Sequence, residues 1–323
     1  MDASLTTTLV NGNGQHSEAI GQDGKHYLKH RPPYPESIWK LWLSYHKGPL
    51  TSLHDIGSGG GNATEDLLRH ISSPLRFVIL TEPKAVNIND CRARFKGRFL
   101  DTCFVYRKCH AEDQWEPPTN LEHVDFVMAC ESIHWTELKP TMDNIAKSLR
   151  ANGTFAAVIY APYPLISNNS IANTAFKDFI GGHASWLLEQ GWMNEKWQRA
   201  ARQLHQGLDF LPLREDLWTD VRRININIRD GWLADSVQFI DGPLEPSDNV
   251  RIQACEWDTI NESKDWQLLA SVEWLKQYLL SLRLGFSDRS WTSLKWQKIE
   301  SEVQDGNLEL VWPVQILLAR RRE

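Results

Sequence analysis

One segment constrains the chain more than any other: Asp55-Ile56-Gly57-Ser58-Gly59-Gly60-Gly61-Asn62, with four glycines between positions 57 and 61. The apolar run Ser52-Leu53-His54-Asp55-Ile56 leads into it, and a helical pattern from about Asn62 to His70 leads out. Glycine lets the backbone turn tightly and approach a ligand closely, while the helix N-terminus turns unpaired N–H groups toward it. A strand, a glycine turn and a helix form the opening unit of an α/β sheet. The run reads G-S-G-G-G-N, so it lacks the third glycine of the dinucleotide pattern G-x-G-x-x-G. Asp55 would also repel a pyrophosphate, and it suits a cationic ligand with an amino-acid moiety.

The alternation continues downstream. RFVILT (76–81), CFVYRK (103–108) and VDFVMAC (124–130) read as further strands, with a helix over 84–95. Met142, Ile145, Ala146 and Leu149 share one helix face, and Asn152-Gly153 is the expected stop before the strand TFAAVIYA (154–161). Near-continuous apolar strands alternating with helices predict a parallel sheet covered on both faces. Residues 164–217 look helical and Trp-rich, without a clear strand, and VRRININI (221–228) returns to strand. Residues 263–283 predict one amphipathic helix carrying Trp266, Leu269, Val272, Leu275, Leu279 and Leu282 on a stripe. LELVWPVQILLARR (308–321) reads as one closing strand with a bulge or an edge at Pro313. Four regions follow: a disordered polar tail (1–25), a ligand-binding core with an N-terminal lid (26–163), a helical cap insertion (164–217), and completion of the same sheet (218–323).

Acidic residues stand at the carboxyl ends of successive strands, which is where open α/β sheets bind ligands. Glu82 ends the second strand and is placed to accept both hydrogens of a ribose diol. Ala111-Glu112-Asp113 follows the third, where an adenine can rest against backbone and a carboxylate. With Asp55, these positions predict a site for a nucleoside-bearing ligand.

These segments resemble class I S-adenosylmethionine-dependent methyltransferases, and within them the fungal trans-aconitate methyltransferase-like group. The resemblance rests on Tyr27-Leu-Lys-His-Arg31-Pro-Pro-Tyr34-Pro35, on Leu53–Thr64, on Val124–Trp135 with its terminal His134-Trp135, and more weakly on Leu149–Thr154. It spans the chain from about residue 26, closely to 162 and loosely from 164 to 260. It implies a Rossmann-like seven-stranded mixed sheet with a helical, Trp-rich insertion, and S-adenosyl-L-methionine as cofactor. Carried over by position, Gly57, Gly59 and Gly61 would line the methionine portion, Glu82 would hold the ribose, and Ala111 with Glu112 would flank the adenine. Ala129 and Cys130 would lie beneath the sulfonium. The chain departs from the family pattern at Glu82, where Asp is more frequent, at His110, where an acidic residue is common, and at Asn152, where glycine is common.

Methyl transfer from a sulfonium mainly requires a nucleophile positioned in line with the methyl carbon. A carboxylate needs no base, whereas a phenol, alcohol or amide nitrogen gains from one. His134, just past strand four, is the base candidate; its alternative role is to orient backbone or pack on Trp135. Arg31 suits a substrate carboxylate, the cofactor's own carboxylate, or a surface ion pair. Tyr27 and Tyr34 are placed to close over the cofactor, and Trp135, Tyr160, Tyr163 and Trp186 are candidate substrate walls. Of 15 tryptophans, only Trp39, Trp42, Trp115 and Trp135 precede residue 150. The other eleven fall where substrate is expected, so they predict a bulky or apolar substrate rather than a small polar acid such as aconitate. Trp266 and Trp312 read as core; Trp186, Trp192 and Trp197 read as pocket walls.

The expected activity is methylation of a small organic acid or secondary-metabolite intermediate, with carboxylate O-methylation first. The alternatives are N- or hydroxyl O-methylation assisted by His134, and a related protein catalysing a rearrangement or cyclisation without methyl transfer. A net charge of −6 argues against a nucleic-acid partner, and the longest apolar run, FAAVIYA (155–161), is far short of a membrane span. Five cysteines without C-x-x-C spacing predict reduced thiols in the cytoplasm. No metal-ligand spacing stands out, and a monomer or homodimer is expected.

Overall fold

The computed structural model describes residues 30–118, 120–192, 194–228, 257–303 and 306–323. Tyr27 and the expected tail lie outside the described residues. The chain enters through Pro35 in extended backbone, and α1 (Glu36–Tyr45) buries Ile38, Trp39, Trp42 and Tyr45 on one stripe. β1 (Ser52–Ile56) is buried along its whole length, as a strand covered on both faces must be. Gly61, at φ +82° in the left-handed region, ends the turn and starts α2 (Asn62–His70). β2 (Phe77–Thr81), α3 (Ala85–Phe95), β3 (Cys103–Arg107) and β4 (Val124–Cys130) follow as the alternation predicts.

Next come α4 (Leu138–Ser148) and β5 (Leu149–Tyr160). The expected helix stop at Asn152-Gly153 is corrected: α4 ends at Ser148, and β5 begins before the turn residues. Asn152 takes φ +61° inside the strand, where the β4–β5 register shifts between Val124 and Phe126. Strand pairing outside the local sequence carries the chain through a tight spot that reads as a terminator.

The second half holds β6 (Leu165–Ile166), α5 (Ser170–Glu189), α6 (Glu195–His205), β7 (Trp218–Ile226) and β8 (Trp257–Ile260). The region expected to be largely helical, without a clear strand, therefore contains a short one. The helix expected over 263–283 is three elements: a 3-10 turn at Lys264–Trp266, β9 (Gln267–Ala270) and α7 (Val272–Ser281). Ser271 separates the last two by accepting a hydrogen bond from Trp274 N at 3.1 Å, a side-chain cap. After α8 (Asp288–Trp291) and α9 (Leu294–Val303), the closing strand is also two: β10 (Leu308–Val311) and β11 (Val314–Arg321). Pro313 is neither bulge nor edge within one strand; it lies where the chain leaves one sheet for another.

The main sheet has the order β3-β2-β1-β4-β5-β11-β7-β8. β1, β2, β3, β4 and β5 run parallel, and β11 lies antiparallel to both β5 and β7. β8 adds an eighth strand to the seven expected, parallel to β7. β6, β10 and β9 form a separate antiparallel sheet, so residues 218–323 do not complete a single sheet. Two cores cover the main sheet: one includes Leu53, Phe126, Val158 and Trp312, the other Val127, Phe155, Leu317 and Trp218. Trp266 and Trp312 are core residues, as their sequence context predicts. The strand order reverses between β1 and its neighbours β2 and β4, which opens a crevice at the carboxyl edge.

Candidate active site

The glycine turn meets the ends of β2 and β4 at this crevice. Gly57 takes φ +66°, and a Cβ there would stand 2.5 Å from Ser132 Cβ, so only glycine fits. Ser132 locks the contact by donating to the Ile56 carbonyl at 2.6 Å. Gly59, at φ +54°, differs: a Cβ on it would meet nothing within 4 Å, so the turn is open on that side. Gly61 closes against Phe95 and Cys91 of α3, and Cys91 Sγ donates to the Gly59 carbonyl at 3.1 Å.

Glu82, buried just past β2, accepts from Gly59 N at 3.2 Å and from Lys84 N at 3.0 Å. A carboxylate has about four lone-pair sites, so two remain for a pair of hydroxyls. The open face at Gly59 and this preset carboxylate beside it fit the methionine and ribose portions of S-adenosylmethionine. Asp55 is sealed beneath the turn, where its carboxylate accepts from Thr64 Oγ1 at 2.6 Å. Burial, with Glu82 nearby, pushes its pKa up to about 7. Ala111 borders a cavity walled by His54, Thr81, Arg107, Trp115 and Asn144. Glu112 accepts from Glu137 N at 2.6 Å, so its carboxylate serves the start of α4. Ala129 is fully buried in the core rather than at the crevice surface.

His134 lies in the 3-10 turn Ile133–Trp135 after β4. Its ring is buried, Nδ1 has no partner among the described residues, and burial pulls its pKa down to about 3. Its ring centroid lies 5.5 Å from Trp135, and Trp135 meets Trp197 of α6 edge-on at 4.6 Å, so the cap touches the site there. A second aromatic group gathers Tyr34, Tyr160 and Trp266, with centroids 6.0 to 6.5 Å apart. Tyr163 packs edge-on against Phe176 of α5. Arg31 donates to the Ser281 carbonyl at 3.4 Å and lies 5.7 Å from the Tyr278 ring centre. Trp186 stands apart from both groups, 38% exposed on α5 beside His183.

Sequence reasoning passed over Glu131. It follows β4 at φ +53°, an uncommon conformation for a side chain of that size. Its backbone N–H donates to Val158 O at 3.0 Å, and its Oε1 accepts from Tyr160 N at 2.5 Å. Burial pushes its carboxyl pKa up to about 8, against the opposing pull of Arg31. The available signal was positional: an acidic residue right after an apolar parallel strand, level with the glycine turn.

Residues 54–155 match a family model described as a methyltransferase domain. Over 306 residues the chain is 26% identical to methyltransferase AacuQ of Aspergillus aculeatus, covering 92% of each chain. It is 25% identical over 308 residues to a methyltransferase of Claviceps purpurea, covering 92% of this chain and 91% of that one. A Saccharomyces cerevisiae protein named "Probable S-adenosylmethionine-dependent methyltransferase CRG1" is 30% identical over 165 residues, 49% of this chain and 54% of its own. A solved structure of a candidate type II methyltransferase from Anaeromyxobacter dehalogenans shares the fold, with TM-score 0.56 at 16% identity, covering 90% of this chain and 97% of that one. The matched segment runs from β1 into β5, through the glycine turn, Glu82 and the end of β4, and full-length relatives carry the same activity in their names. The chain carries a methyltransferase domain over residues 54–155 and has the fold of class I S-adenosylmethionine-dependent methyltransferases.

Proposed function

We propose that this enzyme methylates the carboxylate of a small organic acid with a bulky or apolar body. The observation that carries this reading is the burial of the titratable groups after β4 and beneath the turn. His134, with a pKa near 3, is a weak base at neutral pH. Glu131, with a pKa near 8, holds a proton rather than takes one, and Asp55 is sealed under the turn. A nucleophile that arrives already ionised needs none of them. S-adenosylmethionine supplies the methyl: the carboxylate oxygen bonds to it as the carbon–sulfur bond breaks, the electron pair stays on sulfur, and no proton moves.

In this reading Gly57, Gly59 and Gly61 shape the methionine seat, Glu82 holds the ribose, and the backbone at Ala111 receives the adenine. Arg31 recognises a carboxylate at the mouth. Tyr160, Tyr163 and Trp135 wall the substrate side, joined by Tyr34 and Trp266. The aromatic groups favour a hydrophobic acid, of the kind found in secondary metabolism. Cys91, Cys103, Cys109 and Cys130 are free thiols, which supports a cytoplasmic setting, and no described helix is long and apolar enough to cross a membrane.

The test is labelled-methyl transfer to a panel of acids, phenols and amines, followed by mild alkaline hydrolysis. Release of labelled methanol identifies an ester and supports the reading. Label that survives alkali marks an ether or N-methyl product and overturns it, as does aconitate emerging as the best substrate.

A further inference from the structure

α3 holds the glycine turn from outside. Cys91 and Arg94 stand three residues apart on it and so face the turn together. Cys91 Sγ donates to the Gly59 carbonyl at 3.1 Å, and Arg94 Nε donates to the Gly60 carbonyl at 2.6 Å. Arg94 also donates through Nη1 to Glu65 Oε2 of α2 at 2.5 Å. Glu65, with 8% of its side chain exposed, takes Arg69 and Arg98 on its other oxygen at 2.6 and 2.7 Å. One guanidinium thus fastens the turn to α2 and α3 at once, through two nitrogens of a rigid fork.

The backbone N–H groups of the turn have partners that can be named one by one. Those of Gly57 and Ser58 both donate to the Thr81 carbonyl, at 2.8 and 3.0 Å. Gly59 N donates to Glu82, and Gly61 N donates to the Ser58 carbonyl at 2.9 Å. Among the described residues, the Gly60 N–H is the one in this stretch with no acceptor in the chain. The peptide bonds here are trans, so each N–H points opposite to the carbonyl before it. Because Cys91 draws the Gly59 carbonyl toward α3, the Gly60 N–H is turned away from α3 and left for a ligand.

We propose that Cys91 and Arg94 are positioning residues, which set the Gly60 N–H as a donor to the methionine carboxylate of S-adenosylmethionine. This deepens the reading that the turn seats the methionine portion, and rests on it. An N–H serves the carboxylate there and cannot serve the ammonium, which itself only donates. Both side chains act through the backbone. Glycine is the residue least restrained in φ and ψ, so a turn of glycines needs its carbonyls held if its N–H groups are to keep one direction. Glu65 keeps the Arg94 fork in place, and its effect on the cofactor passes through Arg94.

The experiment uses the full chain with S-adenosylhomocysteine as the probe. Calorimetry compares wild type with Arg94→Ala, Arg94→Lys and Arg98→Ala, and urea unfolding gives the stability of each. Arg94→Ala is expected to weaken binding by about tenfold. Arg94→Lys keeps the charge but cannot span Gly60 and Glu65 together, and is expected to bind within about threefold of Arg94→Ala. Arg98→Ala removes a partner of Glu65 without touching Gly60, and is expected to bind like wild type. Cys91→Ser keeps a donor and retains affinity, whereas Cys91→Ala loses roughly threefold. In nitrogen-15 spectra of wild type, the Gly60 amide proton is expected to move downfield on saturation and to move less in Arg94→Lys, a readout that stability alone does not shift.

A wild-type Gly60 amide that stays in place on saturation would overturn the proposal, whatever the variants do. So would Arg94→Lys binding like wild type, or Arg98→Ala losing as much affinity as Arg94→Ala, which would make the cluster a matter of charge or general stability. If Glu82→Ala weakens binding and Arg94→Ala does not, the cofactor seat at the turn stands and the role of α3 falls. If neither weakens it, the cofactor does not sit at the turn, and both readings fail.

Discussion

The glycine turn and the aromatic mouth sit on the same sheet edge but are held in different ways. The turn depends on backbone conformation: Gly57, Gly59 and Gly61 are left-handed, and each has a neighbour or a void that explains its lack of a side chain. The mouth depends on side chains from distant segments, including Arg31, Glu131, Tyr160, Trp266 and Tyr278. A seat for an invariant ligand can be built from local backbone, whereas a seat for a particular substrate is assembled by packing. The family model accordingly covers residues 54–155, the stretch that holds the glycine turn and Glu82.

Four measurements break or sharpen that contrast. Trp312, buried at 1% exposure and edge-on to Tyr278, ties β10 and β11 to α7. Trp312→Ala is expected to cost about 3–5 kcal/mol in urea unfolding. A cost below about 1 kcal/mol would mean the mouth does not depend on this packing.

Gly57→Ala forces a Cβ into Ser132 at a positive φ and is expected to cost about 1–3 kcal/mol. Gly59→Ala adds no clash within the protein, so calorimetry should show it weakening S-adenosylmethionine more than it lowers stability. Equal stability losses in the two variants would remove the distinction between a structural and a ligand-facing glycine.

Glu82→Ala is expected to weaken S-adenosylmethionine binding by tenfold or more, about 1.4 kcal/mol. An unchanged affinity would move the ribose elsewhere. The smallest effect concerns pH. His134 is already neutral well below its ordinary range, since burial sets its pKa near 3. Losing a proton only below the working range, it should leave no break in kcat/KM near pH 6.5. A break there, abolished in His134→Gln, would restore His134 as a base.

The elements legible in the sequence were those whose cause is local. The strand–turn–helix unit at Ser52–His70, Glu82 at a strand end and the parallel run of the first five strands all follow from residue pattern and chain direction. The misread stretches have non-local causes. Leu269 sits on a helical stripe, yet it pairs with Glu309 of β10. Asn152-Gly153 reads as a helix stop, yet β4 and β11 draw the chain into strand there. Glu112 looked like an adenine ligand, but the fold turns its carboxylate to Glu137 N. Trp186 looked like a pocket wall but is exposed, because aromatic content does not specify which face of α5 meets the site.

The amino-acid sequence by itself determined the class of fold and the glycine turn beside Glu82, because glycine conformations and apolar runs act within a few residues of their cause. It also determined the candidate list at the mouth, since Arg31, His134 and Tyr160 were visible from their positions. Only the tertiary structure decided their chemistry. Burial made His134 a weak base and Glu131 a held acid, and the approach of β4, β5 and the segment before α1 placed Glu131 near Arg31. A side chain's proton affinity is set by the solvent and charges around it, and those come from parts of the chain far away in sequence.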